Sequence, residues 1–156
     1  MDAADIEHRL ARLRSAFRER GVKLTHQRLE IFREIASSLE HPTADVVFRA
    51  VKARLPTVSL DTVYRTLWLL NDLGLVATLG PRKEGIRFDP NLGRHHHYLC
   101  LRCGLVRDFE GSGMAALRLP AAVRGFGSVR VVQVEVRGLC RRCSSAQPKT
   151  KKARKA

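Results

Sequence analysis

Apolar residues recur at three- and four-residue intervals through the first half of the chain, and each run ends at a helix breaker. Ile6, Leu10, Leu13 and Phe17 line one face of a helix over 4–20, which Gly21 stops. Thr25 is placed to cap a second helix over 26–39, with Leu29, Phe32, Ile35 and Ala36 on one face. His41-Pro42 breaks that helix, and Thr43 caps a third over 44–54 that turns Val46, Val47, Ala50 and Val51 inward. After Pro56, Ser59 caps a fourth helix over 60–73, with Val63, Leu67, Leu70 and Leu73 buried and Gly74 as its stop. The runs 75–79 and 86–88, joined through Gly80-Pro81 and Gly85, read as a two-stranded hairpin. Beyond residue 91 the pattern turns strand-like: 98–101, 104–109 and the valine-rich 129–136, with a short helix over 113–123 that Pro120 curtails.

The fold class is therefore α+β. Three short helices and a hairpin between residues 26 and 88 match the winged-helix form of the helix-turn-helix. In such modules the second helix of the pair, here 60–73, enters the major groove with its N-terminal residues toward base edges. Ser59, Thr62, Tyr64 and Arg65 stand at that end. Hydroxyls bond phosphates or bases, an arginine grips guanine or phosphate, and a tyrosine meets a thymine methyl. Lys23 and Arg28 add phosphate contacts from the preceding helix. The plainer alternative is a three-helix domain with a solvated polar face.

Charge favours the nucleic-acid reading. The 156 residues carry +14, and the surplus is uneven. Residues 1–90 hold 15 basic and 12 acidic side chains, whereas 91–156 hold 14 and 3. Five of the later positives are Lys149, Lys151, Lys152, Arg154 and Lys155, in a tail whose largest apolar residue is alanine; it is expected to be disordered. A polyanionic partner fits this balance, and a solubility feature is the alternative. No apolar run approaches the ~18 residues of a membrane span, and the N-terminal decade lacks a signal peptide's basic and apolar regions, so a cytoplasmic address is expected.

Two clusters carry chemistry. Cys100-x-x-Cys103 and Cys140-x-x-Cys143 are the four cysteines of the chain. Each pair forms a knuckle that can turn both sulfurs to one ion, and two knuckles complete a tetrahedral zinc shell. Disulfides and a redox pair are the rivals. The 36 residues between the pairs exceed a minimal zinc ribbon, so the ion should staple a domain edge. Among the histidines, His95 and His97 alternate about His96, which on a strand puts the outer two on one face. With a carboxylate such as Asp89 or Asp108 they make a ligand set for Fe²⁺, Mn²⁺ or Zn²⁺. The alternative is a surface histidine run with adventitious affinity. His41, before Pro42, reads by itself as a polar helix cap.

Taken together, GVKLTHQRLEIF, HPTADVVFRAV, SLDTVYRTL, IRFD, HHHYLCLRCG and GLCRRC resemble the ferric uptake regulator family over roughly residues 15–145. The resemblance implies an N-terminal winged-helix DNA-binding domain (1–88), a hinge (89–94), a small α+β dimerisation and zinc-binding domain (95–146) and, outside the family pattern, the basic tail (147–156). It implies one structural Zn²⁺ per subunit on Cys100, Cys103, Cys140 and Cys143. It implies one regulatory Fe²⁺ or Mn²⁺ on His41 and Asp89 from one domain and His95, His97 and Asp108 from the other. Asp108 stands where iron sensors usually carry Glu, which resembles the peroxide-responsive regulators; there, iron-catalysed oxidation of a ligand histidine, here His41 or His95, releases DNA. His26, Arg94 and His96 depart from the family pattern, and no third metal site is expected.

The implied function is a homodimeric, metal-dependent repressor on an inverted-repeat duplex operator, not an enzyme. It would use no membrane and no small molecule beyond metal and, for peroxide sensing, hydrogen peroxide. Iron-, manganese- or zinc-responsive repression without peroxide sensing is the alternative. From other classes, a non-haem metal enzyme is opposed by the lack of HExxH, a Walker loop or a Glu base in the cluster. An RNA-binding zinc protein is opposed by only 6% aromatic residues for stacking.

Overall fold

The computed structural model describes residues 3–38, 40–79, 85–111, 119–129 and 132–145. The chain divides into two compact units, Met1–Gly93 and Arg94–Ala156.

In the first unit, α1 (Ala3–Glu19), α2 (His26–Ala36), α3 (Ala44–Lys52) and α4 (Leu60–Asp72) precede a hairpin of β1 (Ala77–Leu79) and β2 (Arg87–Asp89). Two caps act as the sequence requires. Thr25 Oγ1 accepts the Arg28 N–H (3.3 Å), and Ser59 Oγ accepts the Thr62 N–H (3.1 Å), so each satisfies an otherwise orphaned donor. Gly74 ends α4 at φ +66, a conformation glycine adopts without a Cβ penalty. Leu10, Leu13 and Phe17 of α1, Ile31, Phe32 and Ile35 of α2, Val47 and Val51 of α3, Val63, Leu67 and Leu70 of α4, and Phe88 of β2 form one buried core. Each such side chain contributes about 1.5–3 kcal/mol by leaving water. β1 and β2 pair antiparallel with Thr78 opposite Phe88, and Thr43 bridges to Arg87 as a short third edge.

The second unit holds β3 (His96–Cys100), β4 (Val106–Phe109), α5 (Ala121–Gly125), β5 (Glu135–Gly138) and α6 (Arg141–Ser145). The sheet runs β4-β3-β5, with β4 antiparallel and β5 parallel to the central β3.

Several expectations need correction. Val46 is 44% exposed; Ala44, Val47 and Val51 are the residues of α3 that share the buried face. α2 ends at Ala36 rather than residue 39, and the Ser37 hydroxyl donates back to the Arg33 carbonyl (2.9 Å). α3 likewise stops at Lys52, ahead of 54. β3 begins at His96, so His96 and His97 lie on the strand, His95 immediately precedes it, and Leu101 falls in the following turn. The valine-rich strand is displaced: β5 covers Glu135–Gly138, and Val129 and Val132 are each 44% exposed. The ladder starts there because the Val134 N–H is diverted to His96 Nδ1 (3.2 Å) while its carbonyl accepts from His97 (3.0 Å). The helix expected over 113–123 survives among the described residues only as α5, after Pro120. Residues 112–118, the wing turn 80–84 and the basic tail lie outside the described residues.

Candidate metal centres and nucleic-acid interface

The two cysteine knuckles converge. One sulfur from each of Cys100, Cys103, Cys140 and Cys143 lies within 4.8 Å of the other three. Cys100 closes β3, and the turn after it is sealed by the Gly104 N–H donating to the Cys100 carbonyl (2.9 Å), with Gly104 at φ +69. Parallel pairing sets Cys100 beside Gly138, which delivers Cys140 and the start of α6 to the same place. The Cys140 N–H donates to Cys100 Sγ (3.3 Å), and the Arg102 guanidinium donates to the Cys143 carbonyl. That Cys140 N–H, with backbone donors of Cys103 and Arg102, holds the Cys100 thiol down at about 6. Burial, then the neighbouring thiols, pushes Cys143 up to about 12. Four convergent sulfurs, one of them a ready thiolate at Cys100 and one, Cys143, that resists ionising, fit a divalent soft-ligand ion, which supplies the missing positive charge.

The histidine-carboxylate residues form two groups, one in each unit. In the first unit, His41 (2% exposed) and Asp89 (1%) bring Nε2 and Oδ1 to 3.6 Å. Asp89 Oδ1 also accepts the Asn91 N–H (2.8 Å), which fixes the carboxylate. In the second unit, His95 Nε2 and His97 Nε2 are 2.9 Å apart and both rings are buried. Asp108 on β4, directly opposite His97, lies 3.6 Å from His97 Nε2 and 4.0 Å from His95 Nε2. His96 points away: its Nδ1 takes the Val134 N–H and its ring meets Phe109. Nitrogen and carboxylate oxygen donors of this kind suit Fe²⁺, Mn²⁺ or Zn²⁺.

Around the start of α4, Tyr64 is 40% exposed, and the Arg65 side chain is 81% exposed with an i,i+4 pair to Asp61 (2.9 Å). Ser59 and Thr62 are engaged in the cap, hydroxyl to hydroxyl at 2.9 Å. Arg28 is braced inward: its guanidinium donates to the Lys23 carbonyl (2.6 Å) and lies over the Phe17 ring (5.9 Å). The Lys23 side chain is exposed.

Two residues that sequence reasoning passed over stand beside these groups. Arg87 Nη1 donates to the His41 carbonyl (3.1 Å). The Tyr98 hydroxyl crosses to Gly138, where an added Cβ would meet it at 3.1 Å. Burial, then the four thiols, raises the Tyr98 pKa. No local pattern marks either one, since both act across 40 residues or more.

Comparison with known proteins gives a consistent answer. Residues 19–132 match the model of the ferric uptake regulator family. The chain is 33% identical over 144 residues to the peroxide-responsive repressor PerR of Staphylococcus aureus, covering 92% of this chain and 97% of that protein. The ferric uptake regulator of Francisella tularensis, solved with iron, is similar at TM-score 0.67 and 28% identity, covering 80% of this chain and 96% of that one. The Helicobacter pylori regulator Fur shares the fold at TM-score 0.77 and 22% identity, covering 92% and 96%. This chain belongs to the ferric uptake regulator family: it is a metal-responsive, DNA-binding transcriptional regulator, not an enzyme, with a winged-helix DNA-binding domain followed by a small α+β dimerisation domain.

Proposed function

We propose that the chain is a cytoplasmic homodimeric repressor that senses peroxide through a metal-bound histidine, and that its regulatory cation takes donors from both units. The observation that carries the reading is a histidine-carboxylate group in each: His41 with Asp89, both buried, and the buried His95 and His97 with Asp108 at the exposed edge. His41 and Asp89 hold the ion from the DNA-binding side, and the other three hold it from the dimerisation side. Cys100, Cys103, Cys140 and Cys143 hold structural Zn²⁺, one per subunit. Metal and operator then favour the same posture and strengthen each other by linkage, with a typical coupling of about 1–3 kcal/mol. In the dimer that posture sets two α4 helices about 34 Å apart, one helical turn of an inverted repeat. Tyr64 and Arg65 face base edges, Lys23 faces phosphate, and Ser59, Thr62 and Arg28 shape the helix ends that present them.

Iron(II) held in this set supplies one-electron reduction of peroxide beside the imidazoles, which Mn²⁺ does not readily do. His41 or His95 gains one oxygen on a ring carbon; in net terms imidazole and H₂O₂ give oxo-imidazole and water. The altered ring is a poorer donor, and the operator is released. Asp108 and the 33% identity to a peroxide-responsive repressor support this chemistry. The 28% identity to an iron-containing ferric uptake regulator favours the second reading, iron sensing without ligand oxidation.

Operator binding measured with Fe²⁺, Mn²⁺ or Zn²⁺, with and without peroxide, tests both. Peroxide sensing requires loss of binding with Fe²⁺ alone and a one-oxygen mass gain on the His41 or His95 peptide. Binding that survives peroxide in the Fe²⁺ form sinks it. His95→Ala should stay folded and lose metal-dependent binding; unchanged metal dependence sinks the bridging cation.

A further inference from the structure

Residues 41–43 and β2 hold each other at three points. Arg87 Nη1 donates to the His41 carbonyl (3.1 Å), the Phe88 N–H donates to the Pro42 carbonyl (3.0 Å), and Thr43 bridges Arg87. Within this clasp His41 sits at φ +50, the only non-glycine residue of positive φ among the described residues. L-residues disfavour that region, and a following proline restricts the backbone further. Such a conformation persists where the surroundings over-determine it. β2 supplies those surroundings and also ends in Asp89, whose Oδ1 lies 3.6 Å from His41 Nε2. One three-residue strand thus fixes the backbone of one donor and carries the other.

We propose that Arg87 is a positioning residue for the regulatory metal: its half-buried guanidinium holds His41 in the left-handed turn, so that the imidazole is aimed beside Asp89 before any cation arrives. This rests on the reading of His41 as a ligand. A donor fixed in advance loses less freedom when it binds. Groups that orient metal ligands typically cost 10–100-fold in affinity when removed. The chemistry asked of Arg87 is specific: a long cationic donor reaching a backbone carbonyl from the adjacent strand position, which lysine imitates in part and alanine does not.

The test uses the zinc-loaded full chain with Mn²⁺ alone as probe, titrated against wild type, Arg87→Ala, Arg87→Lys, His41→Ala and the Arg87→Ala/His41→Ala double variant. Arg87→Ala should weaken Mn²⁺ about tenfold or more. Arg87→Lys should recover part of that loss. In the His41→Ala background, removing Arg87 should cost nothing further, because no imidazole remains to be placed. In the zinc-loaded protein before Mn²⁺ is added, the His41 ring-proton signals should shift and broaden on Arg87→Ala, a readout that loading does not enter. Where Arg87→Ala fails to fold, Arg87→Lys carries the comparison. Wild-type Mn²⁺ affinity in both Arg87 variants, with His41→Ala weakened, overturns the clamp and leaves the ligand reading standing. An equal loss from Arg87→Ala with and without His41 also overturns it. Wild-type affinity in His41→Ala sinks the ligand reading itself.

Discussion

Glycine and alanine at position 41 should reverse their usual order of stability. Both His41→Gly and His41→Ala remove the imidazole and leave Asp89 beside the same gap, so comparing them isolates the backbone. At φ +50 an L-residue costs roughly 1–2 kcal/mol, a penalty glycine escapes. Against this, glycine carries about 0.5–1 kcal/mol of extra unfolded-state freedom. The difference leaves His41→Gly more stable than His41→Ala by about 0.5–1 kcal/mol, whereas at an ordinary position alanine wins. Trp68 is the only tryptophan of the chain, and its ring stands edge-on to Phe88 at 6.1 Å, so its emission follows unfolding of the first unit. For a unit of this size, 1 kcal/mol moves the Tm by roughly 4–8 °C. The expected gap is therefore a few degrees, read in zinc-loaded protein without regulatory metal. Equal melting points, or a higher one for His41→Ala, would show that the left-handed turn is not imposed on this position, and the argument for the Arg87 clasp would lose its basis.

Other outcomes follow from the same geometry. Cys100→Ser removes the thiol held at about 6 and should abolish zinc retention and unfold the second unit; a zinc-free, folded dimer would refute the structural role. Zinc uptake by the metal-free chain at neutral pH should release protons, since the Cys143 thiol, at about 12, starts protonated, and retention should fail on acidification; pH-indicator titration checks this. The Arg33 guanidinium, 2.7 Å away, holds the Glu30 carboxyl below 4.5, so its stabilisation is present above that value and fades as pH falls through the lower folded one. Glu30→Gln should therefore cost about 0.2–1 kcal/mol at neutral pH and nothing in strong acid, measured by urea melts at both. Gly138→Ala should displace Tyr98, its hydroxyl 3.1 Å from the added Cβ, and shift the Tyr98 ultraviolet titration without removing zinc.

The first unit was legible because its signals are local. Thr25 and Ser59 announce their helices by a side chain reaching three residues on, and Phe17 and Leu67 mark faces that are buried. The cysteine spacing was legible for the same reason: a knuckle is a four-residue object. What escaped depended on partners far along the chain. Val129 and Val132 satisfy a strand pattern, yet the ladder begins only at Glu135, where parallel register with β3 decides. Val46 belongs to an apolar run, but helical geometry turns it outward. The backbone state of His41 is set by Arg87, 46 residues away, and no window of sequence contains both.

The sheet of the second unit ties its two metal groups together through one strand. β3 runs from His96 to Cys100, so His97 and Cys100 are three residues apart, about 10 Å at strand rise. β5 meets that strand in parallel from His97↔Glu135 to Cys100↔Gly138, and Asp108 is set opposite His97 by β4. A parallel partner needs a long crossover, and the crossover here runs from β4 to β5 through an exposed α5 with no buried residue. The four thiols close that crossover at one end of β3. Without them, β5 would be held to β3 by a short ladder and the Val134–His96 hydrogen bond, and the carbonyl of Val134 that takes the His97 N–H would be less firmly kept in place. On the proposed reading, zinc therefore does more than staple an edge: it keeps in place the strand that carries His97, and that His95 immediately precedes, toward the regulatory cation. Its loss should reach that site through β3 even with every regulatory ligand intact.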